Sequence, residues 1–555
     1  MKKILSIILA SVALSSCVDT VILPENKILD EDYWQKESEV EAVVAQAYNQ
    51  LRDASVIRSM IVWSDFRSDE LTTASDALPT EAYTNALNEI LSWNIKQTNT
   101  FTKWERFYSC INYCNLVINK AAAVMELDPD YTIGSYQTTM AQVKALRAYC
   151  YFYLVRVFRD IPFVTEAYLN ASDEMNTPQT APAAILAQCI ADLEEVESYA
   201  PKNNAYGNAK DRGYFNQDAI DALLADIYLW RGSINHDAND YQKCVDYCDR
   251  IIAAKKASHS SYVHESISGE EEEEKDYYLS DVKDFYNDLF GTNGQNAEES
   301  IIELQYKNDN LDNSAVYVMY GHRASNKGGY MKTTTCYGDV STSSDPTNRN
   351  VFKANTDQRI YEYCFDANDG IDEHAVRKFV GEETAGEGTA KDFEVSSKQS
   401  SKRNWILYRL TDVMLMKAEA LVQLGKPYDA FKLAQFVNAR AVPSGVSYLR
   451  YDVNTIEEVI LLERARELCF EGKRWYDLMR YNFRRMNGIQ YDKLLSEQSS
   501  FPSNSEDFLG WVLAKYNDPS AMKAKLPDER YLYMPMNEDE LKVNTSLIQN
   551  SAYNK

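Results

Sequence analysis

Two polar stretches of the chain combine aromatic rings with hydrogen-bonding side chains, a combination suited to binding sugars or peptides. Met60 to Tyr83 shows no sustained apolar period, which predicts a loop. Tyr317 to Tyr337 is an irregular, tyrosine-rich excursion that is typical of loop surface used for contact. Aromatic rings offer contact area at low entropy cost, and a packing role is the alternative for each tryptophan. The candidate ligand contacts are Trp63, Asp65, Arg67, Asp69, Trp93, Asn94, Tyr317, Tyr320, Arg323, Tyr330 and Tyr337.

A second group of charged side chains lies on a helical pattern closer to the C-terminus. Apolar residues three and four apart mark one helical face over residues 456–470, and the pattern resumes after Gly472. Glu463 lies one helical turn from Arg466 and from Glu467, and opposite charges at that spacing can pair. We predict a junction of buried ion pairs that fixes how several helices meet. A solvated, salt-laced helix is the alternative.

The composition and the motifs exclude several classes of function. A formal net charge of −25 is unsuited to nucleic acid, because phosphate contacts need a surface rich in Lys and Arg. The histidines and cysteines show no zinc spacing, so no metal and no cofactor is expected. Motifs for a nucleophilic serine, a phosphate loop or a dinucleotide are absent. Asp69 and Glu70 would suit a glycosidase, but such pairs are common in an acidic chain, so the protein is predicted not to be an enzyme.

The N-terminus has the pattern of a bacterial lipoprotein. Lys2 and Lys3 precede the apolar run Ile4 to Leu14, which is too short to span a bilayer and is typical of a secretory signal. Small residues then lead to Cys17, and this ending resembles the bacterial lipobox. We predict that residues 1–16 are a signal peptide, that Cys17 is acylated, and that residues 17–31 hold the lipid anchor and a tether.

The remaining cysteines look like core residues rather than disulfide partners. Cys110 and Cys114 are one helical turn apart, and so are Cys244 and Cys248. Helical neighbours at that spacing have Cβ atoms about 5–6 Å apart, whereas a disulfide needs about 3.5–4.5 Å. We therefore expect free, buried thiols.

Amphipathic helices account for most of the rest of the chain, and they come in pairs. The pairs are similar in length to the helix–turn–helix unit of about 34 residues in tetratricopeptide repeats. The best candidates for such units are residues 216–255 and 406–440, with a generic helical bundle as the alternative. The predicted helices are 38–54, 101–125, 136–158, 180–198, 216–231, 240–255, 407–424 and 428–440.

Residues 300–402 change character and are rich in Gly, Asn, Ser, Thr and Tyr. Ile301 to Tyr306 is predicted to be a strand. Arg359 to Phe365 and Ala375 to Val380 are predicted to form the two strands of a hairpin, because Asn368-Asp369-Gly370 between them is a turn signal.

Several motifs together resemble one family in their order along the chain. They are the lipobox cysteine, KALRAYCYFYLVRVFRDIPFV, DQRIYEYCF, YRLTDVMLMKAEALVQLG, ERARELCFEGKRWYDLMR and YMPMNEDELKVNTSLIQN. This set resembles the SusD/RagB family of Bacteroidetes outer-membrane lipoproteins. The resemblance implies a mainly α SusD-like fold with four tetratricopeptide-like helical pairs, plus a loop-rich region with a small β-hairpin.

The same resemblance implies one domain over residues 32–555. Its helical scaffold would cover about 32–258 and 403–482, its loop-rich ligand face about 259–402, and a variable segment 483–555. The family's ligand loops correspond here to Trp63 to Tyr83 with Trp93, and to Tyr317 to Tyr337.

The function implied by the family is that of a surface lipoprotein of the outer membrane, lipid-anchored and facing the exterior. It would capture an extracellular glycan and deliver it to a SusC-like TonB-dependent transporter, without catalysis. A peptide ligand, or a helical-repeat scaffold for protein partners that has no ligand of its own, are the alternatives.

Overall fold

The computed structural model describes most of the chain, and the predicted signal peptide, Cys17, the tether and Arg323 lie outside the described residues. In the described part the protein is mainly helical, as predicted. The described residues are 33–74, 81–169, 175–205, 207, 210–258, 279–280, 285–291, 295–306, 311–320, 329–343, 348–364, 376–383, 393–395, 402–442 and 444–554.

The helices and strands are numbered here in chain order. The helices are α1 Glu37–Leu51, α2 Ala54–Ile61, α3 Glu81–Leu91, α4 Glu105–Leu127, α5 Ile133–Phe158, α6 Pro182–Val196, α7 Lys210–Gly213, α8 Gln217–Asn235, α9 Ala238–Ser258, α10 Phe285–Leu289, α11 Ser314–Tyr320, α12 Thr335–Gly338, α13 Arg359–Tyr363, α14 Leu410–Gln423, α15 Pro427–Arg440, α16 Ile456–Leu468, α17 Arg474–Phe483, α18 Glu506–Leu513, α19 Ser520–Lys523 and α20 Glu538–Val543. The strands are β1 Leu71–Thr73, β2 Ile161–Pro162, β3 Gln179–Thr180, β4 Ser300–Leu304, β5 Met331–Thr333, β6 Gly381–Glu383, β7 Phe393–Val395 and β8 Trp405–Arg409.

Four helical pairs form the scaffold. α1 packs on α4, α5 on α6, α8 on α9 and α14 on α15, and neighbouring pairs contact each other through α4 with α5 and α9 with α14. The two predicted units at 216–255 and 406–440 are the third and fourth of these pairs. The first pair differs, because residues 52–104 leave the scaffold between its two helices and carry one of the two predicted ligand segments.

Local chemistry sets where these helices begin and end. The Asn216 side chain accepts a hydrogen bond from the Ala219 N–H at 2.8 Å and caps the start of α8. Pro182 and Pro427 occupy the first turns of α6 and α15, where a missing N–H costs nothing. Gly425 ends α14 with a φ of +71°, a conformation that favours glycine.

The strands form small antiparallel pairs, and both strands of the predicted hairpin are wrong. Of the second predicted strand, the described residues 376–380 form one bridge followed by a turn. β4 was expected and pairs with β8, and β6 pairs with β7. Residues 359–363 form helix α13 instead of a strand, because Arg359 turns inward to pair with carboxylates. A single antiparallel bridge between Cys364 and Val376 remains at the site of the predicted hairpin, whose turn lies outside the described residues.

The predicted junction of buried ion pairs is confirmed, and its first half is centred on Glu467. Its carboxylate pairs with Arg359 at 2.9 Å, with Arg409 at 2.7 Å and with Arg440. Glu463 pairs with Arg359 and with Arg466, each at 2.8 Å. Burial alone would raise the pKa of Glu467, but the three arginines outweigh it and lower the pKa. α13, β8, α15 and α16 therefore meet at one carboxylate.

The second half of the junction is centred on Glu419 of α14. Its carboxylate pairs with Arg480 and with Arg484, each at 2.8 Å. Asp477 pairs with Arg480 at 2.7 Å and with Arg464 at 2.9 Å, so α16 and α17 are tied to α14. The two halves together are called the charged junction below. The side chains of these pairs are at most 6% exposed, and the alternative of a solvated helix is wrong.

A sharp break separates α16 from α17 and lets both contribute to the charged junction. Phe470 and Gly472 adopt φ values of +64° and +75°. A Cβ at Gly472 would lie 3.3 Å from the Trp405 ring, so this position needs glycine for its conformation and for its close approach.

The nine cysteines in the described part are free thiols and all are buried, as expected. Burial raises the pKa of Cys110 and of Cys114. Thiols with raised pKa values are poor nucleophiles, so these cysteines act as small core residues.

Candidate functional site

The structure brings the two predicted ligand segments together. β1 pairs with β5 so that Leu71 lies opposite Thr333 and Thr73 lies opposite Met331. The Thr334 side chain donates to the Asp69 carbonyl oxygen at 2.6 Å and extends the contact beyond the strands. Segments that are far apart in sequence therefore share one region, called the β1–β5 face.

The expectation that the named side chains are exposed on loops is wrong for most of them. Residues 54–66 are helical, ending in a π-helical turn from Val62 to Phe66. Asn94 is exposed. The buried candidates are Trp63, Asp65, Arg67, Asp69, Trp93, Tyr317, Tyr320, Tyr330 and Tyr337. Their assignment as ligand contacts stays a prediction.

The two tryptophans are packing anchors, which was the stated alternative. The Trp63 indole N–H donates to the Phe101 carbonyl oxygen at 2.6 Å. The Trp93 indole N–H donates to the Tyr516 hydroxyl at 3.0 Å, and its ring packs against Trp475 at a centroid distance of 5.7 Å. An amphipathic ring with its polar atom satisfied is stable in the core.

Arg67 lies between the same two indole rings. Its guanidinium carbon is 5.3 Å from the centroid of the Trp93 ring and 4.5 Å from that of Trp475, and it donates to the Tyr531 carbonyl oxygen at 2.8 Å. Burial lowers the pKa of Arg67 to about 10. Cation–π contacts thus hold the segment before β1 to α17.

The acidic side chains of this segment attach it to the bend between α16 and α17. Both oxygens of Asp69 accept from Arg474, each at 2.8 Å. Asp65 accepts from the Gly472 N–H at 3.0 Å, and Glu70 accepts from the Phe470 N–H at 3.3 Å. The bend between α16 and α17 therefore fixes the position of β1.

Asp65 and Glu70 also interact with each other. Burial raises the pKa of Asp65 to about 7, and burial together with the charges of Asp65 and Asp69 raises the pKa of Glu70 well above its usual range. Two neighbouring carboxyl groups in one buried site cannot both ionise easily, so one of them keeps its proton. The pair holds that proton near neutral pH.

Other residues form the accessible part of the β1–β5 face. Thr72 and Lys332 lie directly opposite each other on the two strands, and both are half-buried. The half-buried Tyr83 ring packs on Tyr330 at 5.4 Å, and the Arg58 guanidinium lies 5.5 Å from the centre of the Tyr83 ring. In the sequence analysis Tyr83 was the last residue of the predicted loop and was not named as a ligand contact. The sequence Met331-Lys332-Thr333 alternates along β5, where Lys332 is half-buried between two buried neighbours, and this alternation is the signal that would have identified it.

Among the described residues, no helix combines the length and apolar character that crossing a bilayer requires. In the same part of the chain, no three His, Cys, Asp or Glu side chains gather in a way that would hold a metal ion.

Known structures share this architecture over nearly the whole chain. A SusD superfamily protein from Bacteroides thetaiotaomicron has a TM-score of 0.62 at 21% identity, covering 94% of this chain and 99% of that one. Surface glycan-binding protein A from Bacteroides uniformis has a TM-score of 0.64 at 18% identity, covering 93% of this chain and 100% of that one. The fold is therefore that of the SusD superfamily.

Sequence comparison assigns the family. A model described as "SusD family" matches residues 283–553, and one described as "Starch-binding associating with outer membrane" matches residues 26–229. SusD-like protein P38 of Formosa agariphila is 25% identical over 511 residues, which is 87% of this chain and 92% of that protein. The chain belongs to the SusD/RagB family, whose members are binding proteins associated with the outer membrane.

Proposed function

We propose that the protein is a cell-surface lipoprotein that captures an extracellular glycan and delivers it to a SusC-like TonB-dependent transporter. The match to the family model for starch binding at the outer membrane is the observation that carries the proposal. Acylation of Cys17 would hold the protein on the outer membrane, facing the exterior. Residues 17–31 would be the tether between the lipid and the folded domain. The protein binds and hands over its ligand without cleaving it.

The β1–β5 face is the proposed ligand surface. Tyr83 offers a ring on which the C–H side of a sugar can pack, and Arg58, Thr72 and Lys332 place hydrogen-bonding groups around it. Among the sequence candidates that the structure describes, Asn94 keeps an exposed side chain. The buried candidates act beneath this surface by fixing its position. A solved relative in fold is named a surface glycan-binding protein, which is consistent with a glycan ligand.

Calorimetry tests the ligand class directly. The chain without its first 17 residues would be titrated with a panel of soluble polysaccharides and oligopeptides. We expect heat of binding with at least one polysaccharide and no release of reducing ends on prolonged incubation. Binding to peptides alone would replace the glycan by a peptide ligand, and release of reducing ends would overturn the proposal of a binding protein.

The anchor and the transporter need a separate test in cells. We expect the full chain to fractionate with the outer membrane and to co-purify with a TonB-dependent barrel protein. Cys17→Ala should release the protein from the membrane fraction without unfolding it. A protein that co-purifies with the barrel but binds neither glycan nor peptide would be a scaffold for its partner.

A further inference from the structure

A cleft separate from the β1–β5 face lies between α4, the chain after β2, and α20. Its open space is about 740 Å³, including the part that faces solvent. Trp104 and Tyr108 form one wall, Val164 and Tyr168 form the second, and Val543 lies at the third. Three distant parts of the chain therefore enclose one concave space.

The amide and hydroxyl groups of these walls form hydrogen bonds within the walls. The Asn112 side chain donates to the Tyr168 carbonyl oxygen at 3.1 Å and accepts from the Tyr168 N–H at 2.8 Å. Asn544 donates to the Thr177 carbonyl oxygen at 2.7 Å, and the Tyr108 hydroxyl donates to the Pro162 carbonyl oxygen at 2.7 Å. These bonds hold the walls in place before any ligand arrives and leave mainly apolar surface facing the space.

Two carboxyl groups stand in the otherwise apolar lining. Glu540 is half-buried, and burial raises its pKa to about 7, although the nearby Trp104 indole opposes the shift. Glu105 also lines the cleft. The nearby Lys103 is 4.0 Å from Asp539 and Lys542 is 3.0 Å from Glu538, so these lysines are paired with carboxylates outside the cleft. The charge in the cleft therefore disfavours anions.

We propose that this cleft is a second ligand site, which takes an uncharged aromatic ring such as the aromatic group of a glycoside. Aromatic walls favour edge-to-face contact with an aromatic guest. A bare sugar fits less well, because the wall amides that would hold its hydroxyl groups are already bonded to backbone carbonyls. Glu540 supplies a polar contact. Apolar walls with one or two convergent polar groups are the usual make-up of small-molecule sites.

Matched glycosides test the chemistry of the cleft. Phenyl β-D-glucopyranoside, methyl β-D-glucopyranoside and phenyl β-D-glucuronide would be titrated into the protein and followed by saturation-transfer NMR. We expect the phenyl glucoside to bind at least about tenfold more tightly than the methyl glucoside, and the phenyl protons to receive most of the saturation. The glucuronide should bind more weakly than the phenyl glucoside, because its carboxylate meets Glu540 and Glu105. Equal binding of the phenyl and methyl glucosides, or no binding of the phenyl glucoside, would overturn the proposal.

A matched pair of surface variants locates the site. Val543 lies at the cleft and is 59% exposed, whereas Val453 lies on the loop before α16 and is 55% exposed. Both tolerate a larger side chain because solvent has room for it. Val543→Trp should weaken phenyl glucoside binding by at least about fivefold, while Val453→Trp should leave it unchanged. Equal affinities in the two variants would place the phenyl group elsewhere and overturn the proposal. Binding of long glycans at the β1–β5 face should be the same in both, so this result is independent of the proposed function.

Discussion

The charged junction and the β1–β5 face are both rich in charged and aromatic residues, yet they differ in what their side chains contact. In the charged junction each carboxylate meets several arginines from different elements, as Glu467 meets Arg359, Arg409 and Arg440. At the β1–β5 face, Tyr83 and Lys332 are partly open to solvent. Residue type alone therefore does not separate the buried, paired charges of the junction from the partly exposed residues of the face. The number of partners does.

The largest effect that would test this comparison comes from removing the central carboxylate of the junction. Glu467→Ala leaves three buried arginines without their shared partner, and breaking a buried pair costs about 3–5 kcal/mol. We expect a loss of that size in the free energy of unfolding, measured by urea denaturation followed by circular dichroism. Glycan affinity measured below the transition should be unchanged.

The control for this prediction is Lys542→Ala, which removes an exposed lysine from its pairs with Glu538 and Asp539. Solvent screens such pairs, so the urea midpoint should not move. If Glu467→Ala kept the wild-type midpoint and lost glycan binding, the division between structural junction and binding face would be wrong.

The second prediction concerns Trp93, a ligand candidate that lies in the core. Trp93→Ala removes the ring that packs on Trp475 and on Arg67, and deletion of a buried tryptophan costs about 3 kcal/mol or more. We expect a lower urea midpoint with little change in glycan affinity at temperatures where the variant is folded. The exposed neighbour Asn94 provides the matched control, since Asn94→Ala should leave stability unchanged. A stable Trp93→Ala variant with weakened affinity would return Trp93 to the ligand surface.

The third prediction is that the two regions respond to pH with opposite sign. Glu467 and Glu419 have lowered pKa values because of their arginines, so their contribution is lost as pH falls below the usual range of glutamate. Burial raises the pKa of Asp65 to about 7. The folded state then keeps a proton that the unfolded chain releases near pH 4, so this contribution is lost as pH rises from about 4 to 7.

Asp65→Asn isolates the second contribution. The wild-type free energy of unfolding should include a decrease of up to about 1.4 kcal/mol for each pH unit from the Asp65–Glu70 pair above about pH 5. Asparagine cannot ionise, so the variant should lose stability less steeply in urea denaturations between about pH 5 and pH 7. Parallel curves for the two proteins would mean that Asp65 does not hold its proton in the folded state.

Sequence patterns predicted the scaffold better than the ligand surface, for a physical reason. The patterns that predict the helical pairs and the charged stretch are local, because they repeat within one or two helical turns. Glu463 and Arg466 are an example. The burial of Asp69 and Arg67 depends on Arg474 and Tyr531, which lie hundreds of positions away. An aperiodic polar stretch such as residues 60–74 looks the same whether distant partners bury it or solvent covers it. The pairing of β1 with β5 is non-local in the same way.

The smallest expected effect tests the accessible side of the comparison. Tyr83 is half-buried and packs on Tyr330 and Phe101, so Tyr83→Ala should destabilise the protein less than Trp93→Ala. Loss of one aromatic contact with a sugar is worth about 1 kcal/mol, or roughly fivefold in Kd, measured by calorimetry with the polysaccharide that binds best. Tyr451→Ala removes an exposed ring between α15 and α16 and should leave Kd unchanged. Equal Kd values in the two variants would mean that an accessible aromatic ring beside β1 and β5 is not sufficient to mark the ligand surface. Counting the partners of each charged side chain would then identify the buried charges of the junction but not the ligand surface.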